Sequence, residues 1–162
     1  MKNNKTQFFN ILRKPTHFIA FGFGSGCMPL APGTFGSLMA LPFYWIFFQG
    51  ISTPMYAVLL LITFFIGCWV SDITGRDLGD VDHSGIVIDE MVGMWIVLYD
   101  LPQGYLWPWI AFALFRLFDI TKPFPIRQLE QRYNNGFGVM IDDVMAAIYA
   151  AASWRLLTYF FL

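Results

Sequence analysis

The sequence predicts an all-α fold, a polytopic membrane bundle of about four to five embedded helices that forms one domain over residues 1–162. Three observations support this prediction. Hydrophobic residues make up 57% of the chain and charged residues 13%, whereas a typical soluble domain is about 25% charged. No Asp, Glu, Lys or Arg occurs between Lys14 and Asp72. Five apolar segments follow one another, each approaching the length of about 20 residues that a membrane-spanning helix needs.

The five segments differ in how well they fit a membrane span. Residues 51–71 form the cleanest one, because they carry no charged residue. Residues 34–49 are short and contain Pro42, so this segment could either span the membrane or re-enter it. The remaining three segments are apolar apart from a few charged residues each, and they are 86–101, 105–120 and 139–162.

Lys and Arg residues in the short loops predict the orientation of the bundle. The N-terminal segment 1–21 contains four of them and the loop 122–138 contains three, whereas the connections 50–54 and 102–104 contain none. If residues 1–21 form a cytoplasmic or interfacial segment, five crossings place 72–85 and 122–138 on the cytoplasmic side as well. The number of segments and the charge bias therefore agree.

The charged residues inside the apolar segments are expected to meet at the cytoplasmic interface. The acidic pair 89–90 lies near the inner start of the third segment, Arg116 and Asp119 near the inner end of the fourth, and the pair 142–143 near the inner start of the fifth. A Gly-rich loop at 22–37 leads into the first segment from the same side. Ionisable groups at membrane depth are candidates for function.

The two acidic pairs, Asp89-Glu90 and Asp142-Asp143, are the candidate metal ligands. Neighbouring residues of a helix point about 100° apart, so at most one member of each pair can face a shared centre fully. Carboxylates in an apolar setting repel one another unless a cation joins them, and a ligand set made only of oxygen atoms suits Mg²⁺. The alternative is helix capping and dipole compensation, for which one acid per helix would suffice.

Arg116 and Lys122 are the candidate side chains for binding a phosphate group. Arg116 and Asp119 share a helix face at i and i+3, so Asp119 could position either cation or a metal ion. The alternative is an internal ion pair next to an ordinary lysine at the inner face.

The Gly-rich loop supplies a second set of candidate phosphate ligands. Glycines let backbone N–H groups approach a phosphate closely, and a hydroxyl can cap the helix that follows. These candidates are Gly24, Ser25, Gly33, Thr34 and Ser37. A re-entrant connector or close helix packing would explain the same residues.

Asp82 and His83 lie in a solvated loop that could still reach this site. His83 is a candidate general acid or base, and an ordinary surface histidine is the alternative. The net charge of −1 gives no field that would attract nucleic acid.

Four phrases, taken in order, resemble the phosphatidylglycerophosphatase A family. They are GSG at 24–26 with APGTFGS at 31–37, IDEMVG at 88–93, FRLFDITKPFPI at 115–126, and GVMIDD at 138–143. Together they extend over about residues 18–150. Ala147 departs from the family pattern, in which Gly is expected, and this change concerns packing rather than chemistry.

The resemblance implies a multi-pass enzyme of the bacterial inner membrane that depends on Mg²⁺ and faces the cytoplasm. It would convert the membrane lipid phosphatidylglycerophosphate into phosphatidylglycerol and inorganic phosphate. Glu90 and Asp142 would hold the ion together with Asp89 or Asp143, either of which could instead act catalytically. Asp119, Asp82 or His83 would accept a proton.

A small ion or proton transporter is the main alternative function. It would also bury carboxylates, but close to the middle of the membrane rather than at one face. The sequence therefore predicts a lipid phosphatase whose site lies where the charged residues converge.

Overall fold

The computed structural model describes residues 13–161, apart from the side chains of residues 130, 131 and 161, and the regular structure in this part is helical. The α-helices are α1 (Pro15–Ala20), α2 (Pro32–Phe43), α3 (Thr53–Leu78), α4 (Ile88–Leu98), α5 (Trp107–Thr121), α6 (Ile126–Arg132) and α7 (Gly136–Phe161). A 3₁₀ segment, Gly22–Cys27, precedes α2, and a π-helical turn, Tyr44–Phe48, extends it. The predicted all-α class is confirmed.

Two of the described helices, α3 and α7, are long and apolar enough to cross a membrane. Each has 26 residues, or about 39 Å at 1.5 Å per residue. Large apolar side chains of α3 are exposed, among them Leu61, Phe65 and Trp69. A soluble protein rarely exposes so long an apolar face, so these helices indicate a membrane association.

The other three predicted segments are helical but shorter. The helices α2, α4 and α5 contain 12, 11 and 15 residues, fewer than the roughly 20 that cross the hydrocarbon core alone. Pro42 lies inside α2, and the π-helical turn begins two residues after it. Proline removes a helical hydrogen bond, and a local π-turn is a common response.

Helix α4 lies at the centre of the bundle and packs against α2, α3, α5 and α7. Beyond the acidic residues of its first turn it is apolar on all sides, the pattern of a fully enclosed helix, and Met91, Met94 and Leu98 are completely buried. A Cβ atom at Gly93 would lie 2.7 Å from the Phe115 ring, so α5 can approach only because this position has no side chain.

Two tryptophans link neighbouring helices through their indole N–H groups. Trp95 of α4 donates to the Ala40 carbonyl at 2.9 Å, and Trp154 of α7 donates to the Val97 carbonyl at 3.2 Å. Buried indole N–H groups need such partners. These bonds fix α2 and α7 against the central helix.

Helix α1 is joined to the end of α3. Lys14 Nζ lies 2.7 Å and His17 Nε2 lies 3.0 Å from Asp77 Oδ2, and His17 is buried. The first twelve residues of the predicted segment 1–21 lie outside the described residues. The described remainder belongs to the helical bundle.

Candidate active site

The candidate active site is centred on three carboxylates, Asp89, Glu90 and Asp143, which we call the carboxylate cluster. One ligand oxygen from each residue lies within 4.8 Å of the others. Asp89 and Asp143 are buried, and the Glu90 side chain is 14% exposed. The two acidic pairs of the sequence therefore meet, because the first turn of α4 lies against α7.

Two caps fix the start of α7, and they thereby determine how far along the helix axis Asp143 lies. The Gly136 N–H points at Asp72 Oδ1 at 3.4 Å, and the Gly138 N–H donates to Asn135 Oδ1 at 3.0 Å. Side-chain oxygens that accept from the first turn are typical helix caps. Asp143 lies two helical turns further on, opposite Gly93. A Cβ atom added at Gly93 would lie 3.2 Å from the carbonyl oxygen of Asp143.

The chemistry of the cluster fits a divalent cation that prefers oxygen ligands. Asp89 Oδ1 and Glu90 Oε2 are buried and have no hydrogen-bond partner among the described residues. An unpaired buried carboxylate oxygen is strongly unfavourable, and a metal ion would satisfy both atoms at once. Three carboxylates without Cys or His suit Mg²⁺ or Mn²⁺ rather than a softer metal.

Arg116 brings a positive charge to the edge of the carboxylate cluster. Its Nη1 atom lies 4.0 Å from Glu90 Oε1 and forms an ion pair with Asp119 one turn later on α5. Its Nε atom is buried and makes no hydrogen bond within the described part of the chain. The guanidinium group therefore keeps an N–H donor for an anion.

The N-terminus of α2 reaches the same point as Arg116. A Cβ atom at Gly33 would lie 2.2 Å from Glu90 Oε1 and 3.1 Å from Arg116 Nη1. Ala31, which precedes the helix, has left-handed backbone angles, and no side chain caps the first turn. A helix N-terminus without a cap attracts anions.

Lys122 and Asp142 form a second ion pair beside the cluster. Lys122 Nζ lies 2.8 Å from Asp142 Oδ2, and Asp142 Oδ1 accepts the Asp143 N–H at 2.9 Å. Lys122 ends α5 with a φ of 41°, a conformation rare for a residue with a side chain. Of the adjacent aspartates, Asp143 thus faces the carboxylate cluster while Asp142 faces the lysine.

Two serines of the Gly-rich loop hold the local backbone instead of pointing to the cluster. Ser25 Oγ donates to the Gly22 carbonyl at 2.8 Å, and Ser37 Oγ donates to the Gly33 carbonyl at 2.9 Å. Gly24 has a φ of 98° within the 3₁₀ segment, which only glycine adopts easily. These residues shape the loop that presents the start of α2, and Thr34 lies in its first turn.

Asp82 and His83 lie at the rim of the site. His83 Nδ1 accepts the Gly85 N–H at 3.0 Å, and its ring packs near Phe21, so His83 closes its own loop. Asp82 is exposed and lies near enough to Asp142 for their charges to interact. Among the described residues, Gly93 is a contributor that stood out in the sequence only as part of the phrase at 88–93; the structure shows that it allows Phe115 and Asp143 to approach α4.

Comparison with known proteins places this arrangement in one family. The phosphatidylglycerophosphatase A family model matches residues 18–158. Phosphatidylglycerophosphatase A of Haemophilus influenzae is 46% identical over 151 residues, 92% of this chain and 91% of the relative. The Escherichia coli protein of the same name is 41% identical over 142 residues, 86% of this chain and 81% of the relative.

A third relative has a different name. The "Putative phosphatidylinositol-3-phosphatase" of Bacteroides thetaiotaomicron is 42% identical over 149 residues, 84% of this chain and 92% of the relative. No solved structure matches the chain. The family match extends over all the elements of the candidate site, and the chain belongs to the phosphatidylglycerophosphatase A family.

Proposed function

We propose that the protein is a membrane-embedded phosphomonoesterase that hydrolyses phosphatidylglycerophosphate to phosphatidylglycerol and inorganic phosphate. One observation carries the proposal: a buried carboxylate cluster that suits a cation directly adjoins an arginine and a helix N-terminus that suit an anion. Cleavage of a phosphate ester needs both kinds of site side by side. The names of two relatives supply the substrate.

Asp89, Glu90 and Asp143 would hold Mg²⁺ as the resident metal ion. When bound, Mg²⁺ supplies positive charge that stabilises the negative oxygens of the reacting phosphoryl group. The fit is supported by the two unpaired carboxylate oxygens and by the absence of sulfur or nitrogen ligands in the cluster.

Arg116 and the first turn of α2 bind the terminal phosphate. The guanidinium group offers a buried Nε donor that makes no hydrogen bond among the described residues, and Asp119 holds the group in place through the ion pair at Nη1. Phosphate oxygens would also accept the backbone N–H of Gly33, whereas the Thr34 N–H already donates to the Ala31 carbonyl at 3.0 Å. A bidentate arginine fixes both the position and the orientation of the phosphate.

Asp142 positions Lys122 as a fixed cation at the other side of the phosphate. During hydrolysis a water oxygen forms a bond to phosphorus while the bond from phosphorus to the glycerol oxygen breaks. The proton of the water passes to a carboxylate, which then returns it to the leaving oxygen, and this oxygen becomes the glycerol hydroxyl group. Lys122 would stabilise negative charge in this process.

Asp119 is the proton acceptor that the geometry favours. It lies beside Asp143 and near Glu90, and the Arg116 guanidinium holds it next to the phosphate site. His83 is occupied on Nδ1 by the Gly85 N–H, and Asp82 lies at the exposed rim. A general base must reach the water that attacks, which favours the more central residue.

The bundle is proposed to cross the inner membrane five times, with the carboxylate cluster on the cytoplasmic side. The shorter helices α2, α4 and α5 would cross with the help of their apolar connections and of the longer helices around them. The concentration of Lys and Arg in segments 1–21 and 122–138 supports this orientation.

A second candidate substrate is an inositol lipid that carries a phosphate monoester on its ring. The name of the Bacteroides thetaiotaomicron relative favours it. Both lipids carry a phosphate monoester on a headgroup derived from a polyol, so the same cluster could serve either of them.

Phosphate release from purified protein tests the proposal. Phosphatidylglycerophosphate and phosphatidylinositol 3-phosphate are supplied in detergent, with EDTA and with Mg²⁺ added back. We expect release from phosphatidylglycerophosphate that stops in EDTA and returns with Mg²⁺. Full activity in EDTA would refute the metal site, and no release from either lipid would favour the transporter alternative.

A further inference from the structure

A cavity of about 600 Å³ lies between α2 and α5, at the ends opposite to the carboxylate cluster. Its lining comes from the last turns of α2 and the π-helical turn, from the loop before α5 and from the first turn of α5. None of the lining side chains is charged, and tryptophans from both sides contribute. The residues used below are Leu41, Tyr44, Trp45 and Trp109.

The cavity and the phosphate site share one pair of helices, whose line of contact we call the α2–α5 seam. At one end of the seam Gly33 of α2 meets Arg116 of α5. Tyr44 lies eleven residues beyond Gly33 and Trp109 lies seven residues before Arg116, about 16 Å and about 10 Å along the helices. Gln49, which also lines the cavity, lies sixteen residues beyond Gly33, so the cavity extends from about 10 Å to about 24 Å from the phosphate site.

This separation matches the length of a membrane lipid. A bilayer of about 40–45 Å has a hydrocarbon core of about 30 Å. The chains of each leaflet thus begin about 5–8 Å from the headgroup surface and extend for about 15 Å more. A lipid whose phosphate lies at Arg116 would place the middle of an acyl chain at the near end of the cavity, beside Leu41 and Trp109, and the end of the chain deeper inside it.

We propose that the α2–α5 seam binds the substrate lipid lengthwise, with its phosphate at Gly33 and Arg116 and one acyl chain in the cavity. This inference rests on the proposed function and adds a chain-binding site to it. Trp45 and Trp109 are 50% and 54% exposed, so they flank an opening through which a chain can enter from the bilayer. The π-helical turn after Pro42 shapes this end of α2, and such turns are frequent at functional sites.

Dependence on chain length provides the kinetic test. The same lipid phosphate is prepared with palmitoyl chains and with hexanoyl chains, and kcat/KM is measured for each in detergent. We expect Trp45→Ala and Trp109→Ala each to lower the ratio of the long-chain to the short-chain value about tenfold. That loss corresponds to the burial of roughly two methylene groups.

The matched control is Trp69→Ala, which removes an equally exposed tryptophan from the apolar face of α3. Its ratio should stay within about twofold of the unmodified protein. A seam that binds no chain would give the same ratio in all three variants, and that result would overturn the inference.

Photolabelling provides a readout that needs no turnover. A palmitoyl lipid phosphate with a diazirine in the middle of one chain should label the near end of the cavity, residues 41–45 and 108–109. Arg116→Gln should reduce this labelling about tenfold, because the headgroup is no longer anchored. Labelling that is equal in Arg116→Gln, or that concentrates on α3, would overturn the inference and indicate an unrelated lipid in the cavity.

The two proposals fail in different ways. If the unmodified protein releases no phosphate at either chain length, the proposed function is refuted, and the dependence of the labelling on Arg116 still decides whether the seam binds a lipid phosphate. If phosphate is released without any effect of Trp45→Ala or Trp109→Ala on the ratio, only the seam is refuted.

Discussion

Replacement of Gly33 by alanine tests whether the start of α2 belongs to the reacting centre. The added Cβ would lie 2.2 Å from Glu90 Oε1, about 1.2 Å closer than the 3.4 Å at which ordinary contact begins. The Glu90 carboxylate must therefore move by about 1 Å. A displacement of this size near the chemistry can lower a rate about 10²-fold, equivalent to about 2.7 kcal/mol of transition-state stabilisation.

Folding should tolerate Gly33→Ala, because alanine is the better helix former by about 1 kcal/mol. The assay is kcat/KM for phosphate release, together with thermal unfolding in the same detergent. Gly67→Ala is the matched control, since its Cβ would meet the flexible end of Met140 at 2.6 Å rather than a residue of the carboxylate cluster. This variant should keep full activity. If Gly33→Ala keeps full activity as well, the placement of the phosphate beside Glu90 is wrong.

Three further predictions separate the roles of the remaining residues. Asp143→Asn should abolish Mn²⁺ binding measured by electron paramagnetic resonance and lower activity about 10²-fold. Asp142→Asn should keep the ion but lower kcat about tenfold, because Lys122 is no longer held in place. Equal loss of Mn²⁺ in both variants would contradict the assignment of Asp143 to the metal ion and of Asp142 to the lysine. Arg116→Lys keeps the charge but loses the two-donor fork, so KM for the lipid should rise about tenfold, and an unchanged KM would exclude a bidentate contact. A cysteine introduced at Asn135 should react with a membrane-impermeant reagent only from the cytoplasmic side and one at Gln103 only from the opposite side, and the reverse pattern would invert the proposed topology.

Most of the fold could be predicted from where apolar residues occur. Every segment that the composition marked as apolar is helical, because a backbone surrounded by apolar side chains satisfies its polar groups within a helix. The lengths were harder to foresee, since the segment 34–49 contains a proline that divides it into α2 and a π-helical turn. A local change in hydrogen bonding of this kind depends on neighbouring helices, which a single sequence does not specify.

The members of the candidate site could be predicted, but their pairing could not. Charged residues inside apolar segments are rare enough to identify Asp89, Glu90 and Arg116 individually. Helical periodicity also shows that Asp142 and Asp143 point in different directions. Which of the two faces the cluster depends on the rotation of α7 about its axis, and this is set by its packing against α3 and α4 rather than by its own sequence.

The formal charges of the site impose an order on its ligands. The two ion pairs, Arg116 with Asp119 and Lys122 with Asp142, are each neutral, so the fully ionised carboxylate cluster leaves three uncompensated negative charges. A lipid phosphate monoester brings up to two more, and in a weakly polar setting like charges at this distance repel strongly. One divalent cation lowers the charge of the cluster to −1, after which Arg116 and the α2 N-terminus can accept the phosphate. In the proposed function the metal ion therefore binds before the lipid or together with it, and the carboxylate cluster is then a condition for substrate binding as well as for catalysis.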